Sequence, residues 1–262
     1  DFNIGLDPRD SLVYAGDHTT QLTWMDAKRD GHAFTPRHGK PVEINALWAH
    51  SLTALAPLLP RSLASTSNEL RTLAANAGES MRRLFWRPSI NCLADTLRPD
   101  VPASPTRWEP VDEIRPNQVI AVALEHSPFT NEQRRAVVRV ARDKLLTPMG
   151  LRTLAPGSPQ YRAHYRGTMW ERDAAYHNGA AWPWLIGFFV EACLRADAFS
   201  ASAKAQAAND LAPLLEQLTR GCLGQLPEIA DAEAPHKPDG CPAQAWSVAE
   251  VARALCLIGS GR

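Results

Sequence analysis

The sequence predicts a nearly all-α protein in which buried and amphipathic helices alternate around a helical barrel. Three observations predict it. Apolar residues recur at helical rather than alternating spacing along most of the chain. No stretch carries the pattern of a parallel sheet. The helices that are apolar on most faces recur at intervals of roughly 60 to 75 residues, longer than a simple solenoid repeat of about 34 to 47 residues. With 262 residues, of which 45% are apolar and 21% charged, the chain can bury a sizeable core.

The elements follow in order. In Val42 to Leu55, Ile44, Leu47, Trp48, Ser51 and Leu55 fall on one side at helical spacing, and Pro41 stands where a first helical residue tolerates a missing N–H. From Asn68 to Trp86 a stripe of Leu70, Leu73, Ala77, Met81, Leu84 and Phe85 predicts an outer helix. Asn117 to Glu125 is apolar nearly all round, which predicts an inner one. Thr130 and Gln133 have the spacing of a capping box and precede a stripe of Val137, Val138, Ala141 and Leu145. Pro183 opens a third inner helix after those at Val42 and Asn117, Ala203 to Leu218 reads as outer, and Ala243 to Ile258 reads as inner through Trp246, Val248, Ala249, Val251, Ala252, Leu255 and Cys256. Short strands are expected around Cys92 to Leu97 and Leu151 to Leu154.

Charge and cysteine usage narrow the function. The 28 basic and 28 acidic residues cancel, so no net field favours nucleic acid or an anionic membrane. Cys92, Cys193, Cys222, Cys241 and Cys256 are odd in number and lack a paired CxxC spacing, which points to reduced thiols. With no membrane-length apolar run and no signal-peptide pattern at its start, the chain reads as cytoplasmic.

The segments before the four inner helices carry Trp24, Trp108, Trp170 and Trp182 and most of the clustered Asp, Glu and His. If the inner helices run the same way, these loops meet at one end of the barrel and form a pocket. Aromatic rings and planar polar groups, without metal spacing or a nucleotide loop, suit a neutral sugar. No cofactor is expected. Hydrolysis of a glycosidic bond requires one protonated and one ionised carboxyl group. Asp26 is the first candidate: Trp24 and Met25 would desolvate it, whereas Lys28 and Arg37 would pull its pKa the other way. Its plainer reading is a turn cap or a partner of Lys28. Glu228 is the second, and its plainer reading is one loop acid among Asp231, Glu233 and Asp239.

TWMDAK, TPRHGKPVEINALW, RPNQ, YHNGAAWPWLIGFFVEA and GCLGQLPEIADAEAPHKPDGCPAQAWSVAEV resemble the amylo-α-1,6-glucosidase domain of glycogen debranching enzymes, in the same order and over almost the whole chain. The resemblance implies an (α/α) toroid of six helical hairpins and an inverting removal of the single glucose on an α-1,6 branch stub of glycogen or a related α-glucan. It makes Asp26 the general acid and Glu228 the general base, which an inverting enzyme holds roughly 6.5 to 9.5 Å apart. Trp24, Arg37, Glu43, His177, Trp182, Gln244 and Trp246 lie in the matching blocks and are expected at substrate subsites. Plainer roles exist for several of them. Glu43 sits in a first helical turn where the dipole favours an acid, Arg37 can brace its loop, His177 suits a scaffold, and Trp246 suits a core.

About seven helices are visible against the twelve of a whole toroid, so the chain is expected to be the C-terminal part of one glucosidase domain, with an open apolar seam and its activity in isolation open. Competing expectations are a trehalase-like or glucoamylase-like toroid, a non-catalytic glycan-binding toroid, and a plain helical solenoid. The sequence leaves the oligomeric state open.

Overall fold

The computed structural model describes residues 2–101, 107–221 and 224–261. Among them are eight α-helices: α1 (Val42–Leu55), α2 (Ala64–Phe85), α3 (Asn117–Ala123), α4 (Asn131–Lys144), α5 (Met169–Tyr176), α6 (Leu185–Ala196), α7 (Ala201–Leu215) and α8 (Ala245–Gly259). α1, α3, α6 and α8 pack side by side as one row. Behind them α2 lies on α1, α4 on α3 and α6, and α7 between α6 and α8. This double row is an arc of an (α/α) toroid.

The all-round apolar character of α3 explains its place. Every residue of the helix is buried. Val119 and Ile120 join the core built with α6, α7 and α8, while Ala121, Val122 and Ala123 join the core built with α1 and α2. At α4 the expected capping box forms, with Thr130 Oγ1 accepting from the Gln133 N–H at 3.2 Å and Gln133 Oε1 accepting from the Thr130 N–H at 3.0 Å.

Three expectations are corrected. The helical period does not predict α5, although Thr168 and Glu171 carry the same capping-box spacing and make the reciprocal bonds at 3.3 and 2.7 Å; with only Ala175 buried, the helix has no apolar stripe to reveal it. In α1 the buried face is Val42, Glu43, Asn45, Ala46, Ala49 and Leu52, whereas Leu47, Ser51 and Leu55 of the expected stripe are exposed. Small residues face α2 and α3, where close helix approach requires them. α8 buries only Ser247, Val251 and Ala254, and Ala249, Ala252, Leu255 and Cys256 are exposed. Both helices end the inner row and have helical neighbours on one side only, so the seam carries exposed Leu47, Leu55 and Leu255.

Short antiparallel strands fill the connections, including those expected near Cys92 and Leu151. The largest sheet joins Leu146–Thr147, Gly150–Arg152, Ala181–Trp182, Ile229–Ala230 and Pro238–Asp239 in that order. Its pairing of Ala181 with Ala230 sets Trp182 beside the strand that follows Glu228. A hairpin of Lys28–Arg29 and His32–Ala33 follows Asp26 directly. Cys92 and Cys193 are buried free thiols, Cys241 and Cys256 are exposed free thiols, and Cys222 lies outside the described residues. No helix among the described residues is long and apolar enough to cross a membrane.

Candidate active site

Asp26 is presented by a loop pinned on both sides. Before it, the Trp24 indole donates to Asn117 Oδ1 at 2.7 Å, and Met25 is fully buried against Arg115 and Asn117. After it, the Ala27 N–H donates to His177 Nδ1 at 3.4 Å. Asp26 itself stays open to solvent, and among the described residues its carboxyl has no side-chain partner. Lys28 turns away to the Thr19 carbonyl at 2.8 Å and Arg37 is engaged elsewhere, so neither neutralises the acid. Partial burial raises the Asp26 pKa most, its own N–H pulls it down, and the negative charge of Glu228 raises it further. The competition left open by the sequence therefore resolves as a raised pKa.

Glu228 has the opposite surroundings. The Cys241 N–H donates to its Oε2 at 2.9 Å, and Gln244 Nε2 donates to its Oε1 at 3.2 Å. Its own N–H donates to the Cys241 carbonyl at 2.8 Å, which fixes the backbone on the same turn. Gln244 is the N-cap of α8 and its Oε1 accepts from the Ala245 N–H, leaving the amide nitrogen aimed at Glu228. Gly240, at φ +71°, permits this closeness, because a Cβ there would stand 2.5 Å from Glu228 Oε2. Tyr176, the last residue of α5, has its phenol pKa raised first by burial and then by the neighbouring Glu228 carboxylate, and it also senses the charge of Asp26. The two acids and this phenol share one electrostatic neighbourhood.

An aromatic wall stands behind the pair. Trp24 meets His177, Trp182 and Trp184 edge-on at centroid distances of 5.4, 5.4 and 5.0 Å. Trp182 stacks on His177 at 5.3 Å, and Trp246 stacks on Trp184 at 4.9 Å. Trp182 is 2% exposed, donates its indole N–H to the Tyr176 carbonyl at 2.9 Å, and so supports the wall from within. His177 is fully buried; with Nδ1 accepting from Ala27, its proton is assigned to Nε2. Burial, followed by the charges of Arg115 and Arg37, pushes its pKa down to about 3, so the ring is neutral across ordinary pH. It steadies the loop that bears Asp26 by accepting from the Ala27 N–H.

Arg37 and Glu43 lie beneath the wall, 5% and 2% exposed. Arg37 makes a two-pronged pair with Glu43 at 2.5 and 2.6 Å and a further bond to Asp95 at 2.6 Å. Burial opposes the Arg37 charge, but Asp95 and Glu43 outweigh it and raise its pKa. Asp95 accepts in turn from Asn117 at 2.7 Å, and Asn117 holds Trp24. A continuous buried network thus runs from the first turn of α1 to the residue two before Asp26. Sequence reasoning does not single out Asp95, Arg115, Asn117 or Tyr176. For Arg115 and Asn117 the one signal is the set of polar residues that opens the otherwise apolar α3.

A family model described as amylo-alpha-1,6-glucosidase matches residues 1–253. The glycogen debranching enzyme of Saccharomyces cerevisiae is 26% identical over 295 residues, an alignment that takes in 94% of this chain and 19% of the relative. Among solved structures, the neutral trehalase of Saccharomyces cerevisiae superposes with a TM-score of 0.59 at 16% identity, covering 94% of this chain and 41% of that one. A GH63 mannosylglycerate hydrolase of Thermus thermophilus gives 0.53 at 16% identity, covering 84% and 45%. These two likenesses concern the fold. The chain spans about a fifth of the curated relative and under half of each solved structure.

Proposed function

The chain belongs to the amylo-alpha-1,6-glucosidase family of glycoside hydrolases, and from that membership we propose that its site removes the single glucose of an α-1,6 branch stub on glycogen or limit dextrin. Asp26 acts as general acid. Its proton passes to the glycosidic oxygen as the bond from that oxygen to the anomeric carbon breaks, so the glucan leaves as an alcohol. Glu228 acts as general base. It takes a proton from a water whose oxygen attacks the anomeric carbon from the opposite face, and glucose departs in the β configuration. Asp26 ends ionised and Glu228 protonated, and exchange with solvent restores both.

What supports this reading is the contrast between the two carboxyl groups. Asp26 lacks a side-chain partner and is biased toward its proton, while both oxygens of Glu228 are held by N–H donors. A carboxyl group whose pKa is raised suits the acid role, and one held by N–H donors suits the base role. The aromatic wall offers faces to sugar C–H groups, and a neutral glucan suits a chain without net charge. A cytosolic location fits such a substrate.

The test compares glucose release from limit dextrin, trehalose and linear maltooligosaccharide. Branch-stub hydrolysis with β-glucose as first product, reduced on the order of 10²-fold or more in both Asp26→Asn and Glu228→Gln, is expected. Release from trehalose or the linear chain alone overturns the substrate, and near-normal rates in either variant overturn the assignment of its residue.

A further inference from the structure

The aromatic wall does not account for a second cluster, which lies on the surface beside it. Trp170 and Met169 in the first turn of α5 are 46% and 57% exposed. The hairpin after Asp26 supplies their neighbours: His32 stacks on the Trp170 ring at 5.3 Å with an interplanar angle of 26°, and Phe34 meets it edge-on at 4.7 Å. Arg29 of the same hairpin pairs with Asp173 of α5 at 2.5 Å. One face of the indole is therefore packed and its orientation fixed, while nearly half of the side chain remains in water.

We propose that Trp170, with His32 and Met169 beside it, is a platform that holds the outer chain of a branched α-glucan whose stub occupies the acid–base pair. The occupant is argued from continuity. The hairpin begins two residues after Asp26, and α5 ends at Tyr176, whose phenol senses the Glu228 charge. Trp170 and Tyr176 are six residues apart, about 9 Å along the helix axis. The platform and the acid–base pair are thus carried by the same hairpin and the same helix, and the proposal lays one glucan across both. The chemistry also agrees. A fixed indole presents an apolar face to sugar C–H groups at little entropic cost, because its rotamer is already held. The flanking Arg29–Asp173 pair supplies planar groups that can bond hydroxyls without net charge. A contiguous exposed aromatic cluster is unusual on a surface otherwise free to be polar.

The inference rests on the proposed glucan substrate, and the test separates the two. The 262-residue chain and its Trp170→Ala and Trp170→Phe variants are run by affinity electrophoresis through gels containing glycogen, with light scattering in parallel. The expected result is retardation of the wild-type chain, an apparent affinity about tenfold weaker in Trp170→Ala, and recovery in Trp170→Phe, which keeps a ring face. In a second measurement, independent of any variant's folding, maltoheptaose added to the wild-type chain shifts the Trp170 indole N–H resonance. Unchanged retardation in Trp170→Ala, no retardation of the wild-type chain, or a silent Trp170 resonance overturns the platform. So does a wild-type dimer that Trp170→Ala turns into a monomer with glycan retardation intact, since the patch would then serve a second copy. Retardation without any glucose release overturns the proposed hydrolysis and leaves the platform standing.

Discussion

Replacing Arg37 by Met tests whether the network beneath the site is structural. Arg37 is almost fully buried between Glu43 and Asp95, with contacts of 2.5 to 2.6 Å to each. Met conserves much of the volume but removes the group that bonds both carboxylates, leaving them buried with Arg115, 4.0 Å from Asp95, as a more distant cation. Removing one partner of a buried pair costs about 3–5 kcal/mol. In a chain of this size, where 1 kcal/mol moves Tm by about 2–4 °C, the expected fall is about 6–20 °C. Glu43→Gln should cost less, about 1.5–3 kcal/mol, because Arg37 keeps Asp95 and the amide can still accept a bond. Thermal unfolding followed by circular dichroism gives both values. The same proteins, assayed below their transitions, should keep the wild-type KM within about twofold, because both side chains are buried and bonded to each other. An Arg37→Met Tm within about 3 °C of wild type would refute the energetic argument. A large KM increase in Glu43→Gln at unchanged Tm would place the pair against the sugar after all.

Gln244→Ala removes the side-chain donor to Glu228 Oε1 and should lower kcat about 10- to 100-fold at nearly constant KM, the size of a hydrogen bond to a charged group; a change confined to KM would make Gln244 a sugar ligand instead. Asp26→Asn should stabilise the fold at neutral pH, because the folded state raises the Asp26 pKa and ionising it there is unfavourable. Below the unfolded-state value, about 4, both states are protonated and the gain is absent; it grows as pH rises through the folded-state pKa, so a Tm difference largest at low pH would contradict the direction of the shift.

The helices are legible in the sequence because apolar period and caps are local properties, and seven of the eight described helices follow from them. What period does not reveal is which face of α1 and α8 meets neighbours, since that depends on where a helix stands in the row. α5 escapes because a short helix lying over loops has no stripe to bury, and a capping box alone is its signal. The site is legible in a different way. Neither Asp26 nor Glu228 is marked by spacing, and both come from blocks resembling a family, whereas the network from Glu43 through Arg37, Asp95 and Asn117 to Trp24 joins residues up to 93 positions apart. No local pattern encodes such a join. The same distance explains why the sequence points Arg37 and Glu43 toward the sugar while the structure turns them toward each other.

Asp26 and Glu228 hang from different parts of the arc. The loop that bears Asp26 is tied to α3 through Asn117, Glu228 to the N-cap of α8 through Gln244, and α6 stands between those two helices. The gap between the two carboxyl groups is therefore a caliper whose jaws are separate helices and whose pivot is the packing of α6. Under the proposed function, a substitution deep in that packing, far from either carboxyl group, resets the opening into which a water and an anomeric carbon would have to fit.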